Sequence, residues 1–217
     1  MAKKITGITD NFGNWPTTVG RKMMVRYLNE DWDYDVVRQV DKMIWFMGDK
    51  ANNQWAYAKH ILNYWKYKFL LAQGHRDEAM FHLKKSFKEN GPDAMAQFAY
   101  FYYTGQVITN SIDVRKAEKL FAKALRQESM FAEYLYAEAI TYKKDYNKEI
   151  LREAIPYYEE ALKKGVLFAR YKLADCYLKT GQKLDEAEKL FAKCDEPQAK
   201  EKIKEIEIIR MQNKKRK

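Results

Sequence analysis

The chain has 217 residues and a formal charge of +10; 47% of its residues are hydrophobic, 32% are charged, and only 9 Gly and 4 Pro interrupt it. This composition excludes a disordered chain, and the lack of any 18-residue apolar stretch excludes a membrane-spanning helix. The two cysteines, Cys176 and Cys194, are too few for a disulfide framework, and the basic start MAKKITGITDNFG has no apolar run behind it, so a reducing, cytoplasmic setting is expected.

Taken in chain order, residues 1–51 read as an N-terminal segment with capping helices. Pro16 and the Thr pair after it can open one helix, running to about Asn29. Asp33 or Asp35 can cap a second helix, with Val37, Val40, Ile44 and Met47 as its buried stripe. Between them, NEDWDYD (Asn29 to Asp35) places Asp31, Asp33 and Asp35 at the first three ligand spacings of a calcium loop. Such a loop needs Gly where Val36 stands and Glu where Lys42 stands, so the run reads as an acidic turn.

From residue 52 onward the chain repeats. The word AEKLFAK occurs at 117–123 and again at 187–193, and EAIPYYEEA between them has the same layout. Each set has Ala, an aromatic four residues on and a small residue seven on: Ala117, Phe121, Ala124; Ala154, Tyr158, Ala161; and Ala187, Phe191, Cys194. Ala79, Leu83 and Ser86 form a weaker earlier copy. This spacing puts small and large residues in one helix stripe that a neighbouring helix can approach closely. A second pattern precedes the later copies: Ala94, Phe98, Ala99, Tyr102; Ala132, Tyr136, Ala137, Ile140; and Ala169, Leu173, Ala174, Tyr177. Its starts lie 38 and 37 residues apart, so each unit is a first and a second helix. Turn signals at Gly74, Gly91-Pro92, Gly105, Gly165 and Gly181 separate the helices. Asp195 with Gln198 reads as a capping box, with Pro197 in the first turn. Ala199, Ile203 and Ile206 form the inner face of a closing helix whose outer face is Lys and Glu.

These residues resemble the Sel-one-like repeat family, relatives of the tetratricopeptide repeats. The resemblance lies in Ala…Phe-Ala…Tyr…Gly of the first helix and Lys/Glu-Ala…aromatic…Ala of the second, over about residues 52–197. The family usually has Gly rather than Ala at the +5 position, and the third repeat has Lys143 in place of its closing Gly. The fold expected is all-α: a right-handed α-solenoid of helix–turn–helix repeats, with capping helices at both ends. Residues 196–217 form the closing helix and a basic tail. Some secreted members bridge their helices with disulfides; here Cys176 and Cys194 are expected as small buried thiols.

Catalytic chemistry finds little support. His60, His75 and His82 lack the spacing of a zinc pair and are expected to be satisfied or solvent-facing. No phosphate loop, nucleophile elbow or distinctive carboxylate pair is present, so neither an enzyme nor a cofactor is expected.

The stretch AQFAYFYYTG (Ala96 to Gly105) puts five rings in six positions, more than one buried face can hold. Phe98 and Tyr102 belong to the repeat signature, and Phe101 shares a position with Ala139 and Cys176, suited to packing between repeats. In tetratricopeptide-like solenoids the first helices line the concave side, so the resemblance assigns their non-core positions to a groove. Counted from the first Ala of each set, +2 reads Ala96, Tyr134, Tyr171 and +6 reads Tyr100, Glu138, Asp175. Likewise +9 reads Tyr103, Thr141, Leu178, and +10 reads Thr104, Tyr142, Lys179. Tyr100, Tyr103, Tyr134, Glu138, Tyr142, Tyr171 and Asp175 are therefore the candidate partner-binding residues. The alternative is that superhelix curvature buries rings such as Tyr103 and Tyr134 against neighbouring first helices.

The expected function is non-enzymatic capture of a protein or peptide, as an adaptor or as a stoichiometric inhibitor of the immunity or phage counter-defence kind. The rival is a nucleic-acid binder using the tail KKRK and the basic surplus of residues 51–110, although Glu138 and Asp175 would repel phosphates along the groove.

Overall fold

The computed structural model describes residues 59–106, 111–144, 147–194 and 196–215. The expected cap helices of residues 1–51, the acidic run Asn29 to Asp35, Asp195 of the expected capping box and the last two residues lie outside them. Among the described residues there are nine α-helices and no strand. They are α1 (Lys59–Ala72), α2 (Arg76–Lys88), α3 (Pro92–Thr104), α4 (Val114–Arg126), α5 (Ala132–Thr141), α6 (Lys148–Lys163), α7 (Ala169–Thr180), α8 (Leu184–Phe191) and α9 (Gln198–Lys215). None is long and apolar enough to cross a membrane.

The chain divides into two compact units. Unit one takes residues 1–98 and 119–130, and unit two takes 99–118 and 131–217. In unit one, α1 packs on α2. Its core includes Tyr64, Trp65, Ala79, Leu83, Ala94 and Met95, each at most 2% exposed. Ser86 donates to the His60 carbonyl at 2.6 Å, and the buried Asp93 carboxylate accepts from Ser129 Oγ (2.7 Å) and Met130 N (2.8 Å). The α1–α2 seam is also tied by polar groups: Asn63 donates its amide to Glu89 at 2.9 Å and lies 3.0 Å from His82 Nδ1. His82 is thus satisfied, and His75 stands exposed just ahead of α2.

In unit two each helix packs on the next: α5 on α6, α6 on α7, α7 on α8 and α8 on α9, with α7 also touching α9. The spacing of small and large residues explains these contacts. Ala154, Tyr158, Ala161, Ala187 and Phe191 are at most 1% exposed, so the alanines let neighbouring backbones approach while the rings fill the seam. Cys194 closes the last stripe half-buried and Cys176 is buried; neither is in a disulfide. Phe101, Ala139 and Cys176 are all buried, as packing positions should be. Tyr102 departs from the core expectation. It is half-buried, and its hydroxyl accepts from Lys116 Nζ at 2.8 Å.

Local chemistry fixes the helix ends. The Asn147 side chain accepts from the N–H groups of Glu149 and Ile150, a cap that α6 needs at its open N-terminus. Thr104, Thr141 and Thr180 each donate to the carbonyl four residues back, which satisfies these buried hydroxyls. Gly105 takes the left-handed φ of 70° after α3; Lys143, where the third repeat lacks a closing glycine, takes φ 57° itself. The turn is kept at the cost of a strained non-glycine residue. In the closing helix Ala199 and Ile206 are buried and Ile203 is half-buried. Its outer face is less polar than expected, since Ile208 and Met211 are 54% and 62% exposed.

Candidate functional site

All seven candidate residues fall in unit two. The +6 position of α5 is its centre. Glu138 lies four residues from both Tyr134 and the C-cap Tyr142, on one side of α5, with its side chain only 18% exposed. A carboxylate so far from water must be paired or hydrogen-bonded. Tyr158 of α6 donates its hydroxyl to Glu138 Oε1 at 2.6 Å, and the Tyr134 phenol lies within reach of the same carboxylate's charge. Lys172 of α7 closes the group, with Nζ 3.4 Å from Oε2. The Tyr158 and Thr141 hydroxyls lie 3.3 Å apart, linking the centre to the end of α5.

The phenols here are held protonated. Burial raises Tyr158 and Tyr134 well above the ordinary tyrosine value, and the Glu138 charge raises them further. Tyr100 shifts the same way through burial first, then Glu138 and Tyr142. Tyr100 and Tyr134 therefore share the electrostatic neighbourhood of Glu138, with Tyr142 next to Tyr100 in it.

Tyr134 is not an open floor residue. Its ring meets Phe168 edge-on at 4.5 Å and Tyr158 at 6.0 Å. Tyr171 repeats the arrangement one unit on, edge-on to Phe191 of α8 at 5.3 Å. Tyr171 thus leans on the signature ring of its own second helix, whereas Tyr134 meets both that ring, Tyr158, and, more closely, Phe168 at the N-cap of the next first helix, α7. Asp175, 18% exposed at its side chain, pairs with Lys179 at 2.7 Å. Lys202 of α9 feels the charges of Asp175 and Tyr171 after its own bond to Glu205.

Tyr103 stands apart from the Glu138 group. Its hydroxyl is raised by burial, then by Glu153 and Glu118. It belongs with Tyr136 and Tyr157, whose rings lie 4.7 Å apart. Burial, Tyr157, Glu153, Tyr103 and Glu118 together push Tyr136 up to about 12.

Two residues of the Glu138 group are not apparent from spacing as site residues. Tyr158 reads as core, and it is core, yet its hydroxyl fixes the carboxylate. Lys172 reads as one surface lysine among many. The signal that exposes it is charge complementarity between +6 of one first helix and +3 of the next. With Lys172 and Lys179 in place, the carboxylates do not make the face acidic, as unpaired Glu138 and Asp175 would. Among the described residues no three of His, Cys, Asp and Glu gather as a metal ion requires. No protein-family model matches the chain, and no curated protein or solved structure matches it.

Proposed function

We propose that the chain is a right-handed α-solenoid of the Sel-one-like or tetratricopeptide kind that works without catalysis, as an adaptor or a stoichiometric inhibitor. It captures a protein segment on the first-helix face of unit two. The observation that supports this reading is the fixed Glu138 group. A carboxylate tied to Tyr158 and Lys172 does not reorganise when a partner arrives, and half-buried Tyr100 and Tyr142 lie beside it. Rigid, amphipathic rings beside pre-oriented polar groups bind at low ordering cost. Tyr171 and Asp175 extend the same chemistry one repeat further.

The test is affinity capture with mass spectrometry at low and high salt, comparing the wild type with Tyr100→Ala and Tyr142→Ala. Loss of a captured protein in both variants, with thermal stability unchanged, is the expected result. Capture that survives both substitutions overturns the reading. Capture of nucleic acid instead, lost steeply with salt, transfers the function to the basic surface.

A further inference from the structure

A separate feature lies on α2 in unit one. The second helices of the repeats turn one face to water, and two residues after the first signature alanine that face reads Phe81, Lys119, Pro156 and Lys189. Three of these suit a solvated or helix-bending position; Phe81 does not. It is 62% exposed on α2. Lys84, Lys85 and Lys88 follow at i+3, i+4 and i+7, so they share its side of the helix, and all three are exposed.

This face is not flat. Phe81, Lys84, Lys85, Phe87, Lys88 and Phe98 line a pocket of about 510 Å³, well within the range that holds a ligand group. Phe87 and Phe98 form its apolar wall, with ring centroids 4.6 Å apart. Every charged group in the lining is a lysine. The nearest acid in sequence, Glu89, is engaged by the Asn63 amide at 2.9 Å. An apolar interior under a cationic rim selects a guest that is apolar at its tip and anionic around it.

We propose that this pocket binds an acidic peptide segment by one bulky aromatic side chain, which enters between Phe81, Phe87 and Phe98 while flanking carboxylates meet the lysines. Two arguments favour a peptide. From Lys84 to Lys88 is about 6 Å along α2, close to the spacing of alternate side chains on an extended strand. One rim therefore meets several carboxylates of a chain, where a single anionic headgroup meets fewer. A nucleic-acid base suits the pocket poorly, because the two inner rings are inclined at 54° and offer no flat platform. This site is independent of the unit two face, so either proposal can fail alone.

The test uses the full-length chain and a fluorescein-labelled nonapeptide, Asp-Ser-Asp-Ser-Trp-Ser-Asp-Ser-Asp, read by fluorescence anisotropy. Saturable binding is expected. It weakens at least tenfold when the peptide's tryptophan becomes alanine or its aspartates become asparagine. It weakens as much in the protein variants Phe81→Ala and Lys84→Glu/Lys88→Glu, and Phe81→Trp retains it. Phe81 and the lysines are exposed, so melting temperatures stay level and separate lost binding from lost folding. No binding, or binding indifferent to Phe81→Ala, overturns the proposal, as does tighter binding of a ten-residue oligothymidylate. Self-association in analytical ultracentrifugation that Phe81→Ala abolishes assigns the pocket to a second copy and overturns it. Peptide binding that emerges only after Trp32→Ala and Tyr34→Ala assigns it to the chain's own acidic run and also overturns it.

Discussion

The Glu138 group of unit two and the Phe81 face of unit one set aromatic rings beside charges in opposite ways. Around Glu138 the charge is satisfied from within: the buried Tyr158 phenol and Lys172 converge on one carboxylate. Around Phe81 three exposed lysines surround apolar rings and no carboxylate joins them in the lining. The first arrangement is closed on itself; the second leaves its cations to solvent. The difference teaches that aromatic content alone does not mark a binding surface. What differs between the two is whether the polar groups beside the rings already have partners.

The largest expected effect separates the two directly. Tyr158 is 1% exposed, and Tyr158→Ala removes its ring from the α5–α6 seam together with the bond to Glu138. A loss of about 3–5 kcal/mol in unfolding free energy is expected, as for other buried aromatic truncations. Phe81→Ala is expected within about 0.5 kcal/mol of wild type, because it empties no core. Chemical denaturation of both variants checks this. Similar losses in the two would break the comparison and make Phe81 a core residue.

A smaller contrast concerns glycine. At Gly91, in unit one, a Cβ would lie 2.6 Å from Ser86 Oγ and 2.9 Å from both the Ser86 carbonyl and His60 Cβ. Ser86 cannot swing aside without giving up its bond to the His60 carbonyl. Gly91→Ala is therefore expected to cost about 1–3 kcal/mol through overpacking. At Gly181, in unit two, a Cβ meets nothing within 4 Å, but φ is 72°. Gly181→Ala should cost about 1–2 kcal/mol, from left-handed strain alone. Gly181→Asn should recover part of it, since Asn tolerates that region, whereas Gly91→Asn should recover nothing. Denaturation midpoints of the four variants separate a steric cause from a conformational one.

How much of this the sequence discloses depends on the physics behind each feature. The helix stripes are legible because close helix packing demands small and large residues at fixed spacing, and Ala117, Phe121 and Ala124 obey that demand wherever the chain turns next. The tyrosines are harder. Spacing places Tyr100 and Tyr103 three residues apart on one helix, yet their charged neighbours differ: Glu138 for one, Glu153 and Glu118 for the other. Which neighbour a half-buried ring meets depends on how successive helices are set, and no local pattern encodes that. Lys172 illustrates the same limit, since a lysine at that spacing suits solvent equally well. Phe81 was readable in principle: aligning the second helices shows one aromatic where the sisters carry Lys or Pro.

The smallest expected effect tests whether a satisfied charge in unit two registers in stability. Glu159 Oε1 accepts from the Tyr177 hydroxyl and from Lys183 Nζ, the latter at 2.7 Å. The hydrogen bonds from Lys183 and then Tyr177 hold its carboxyl below the ordinary glutamate value, against the opposing effect of burial. A depressed folded-state pKa means that the ionised form is favoured in the folded chain. Its stabilisation is therefore fully present above the unfolded value of about 4.3 and is lost as pH falls through the lower folded one. Glu159→Gln should lower the melting temperature at pH 7, and the two curves should converge as pH drops below about 4. The Lys183 side chain is 55% exposed, so solvent screening keeps the difference under about 1 kcal/mol. In unit one, Lys84→Gln should leave the melting temperature at pH 7 close to wild type, because the side chain is exposed. Its consequence should surface only when an acidic peptide is added. A Glu159→Gln curve that runs parallel to wild type down to pH 3 would show that the Tyr177–Glu159–Lys183 bonds contribute nothing net. Internal pairing of charge in unit two would then carry no more stability than the exposed lysines of the pocket.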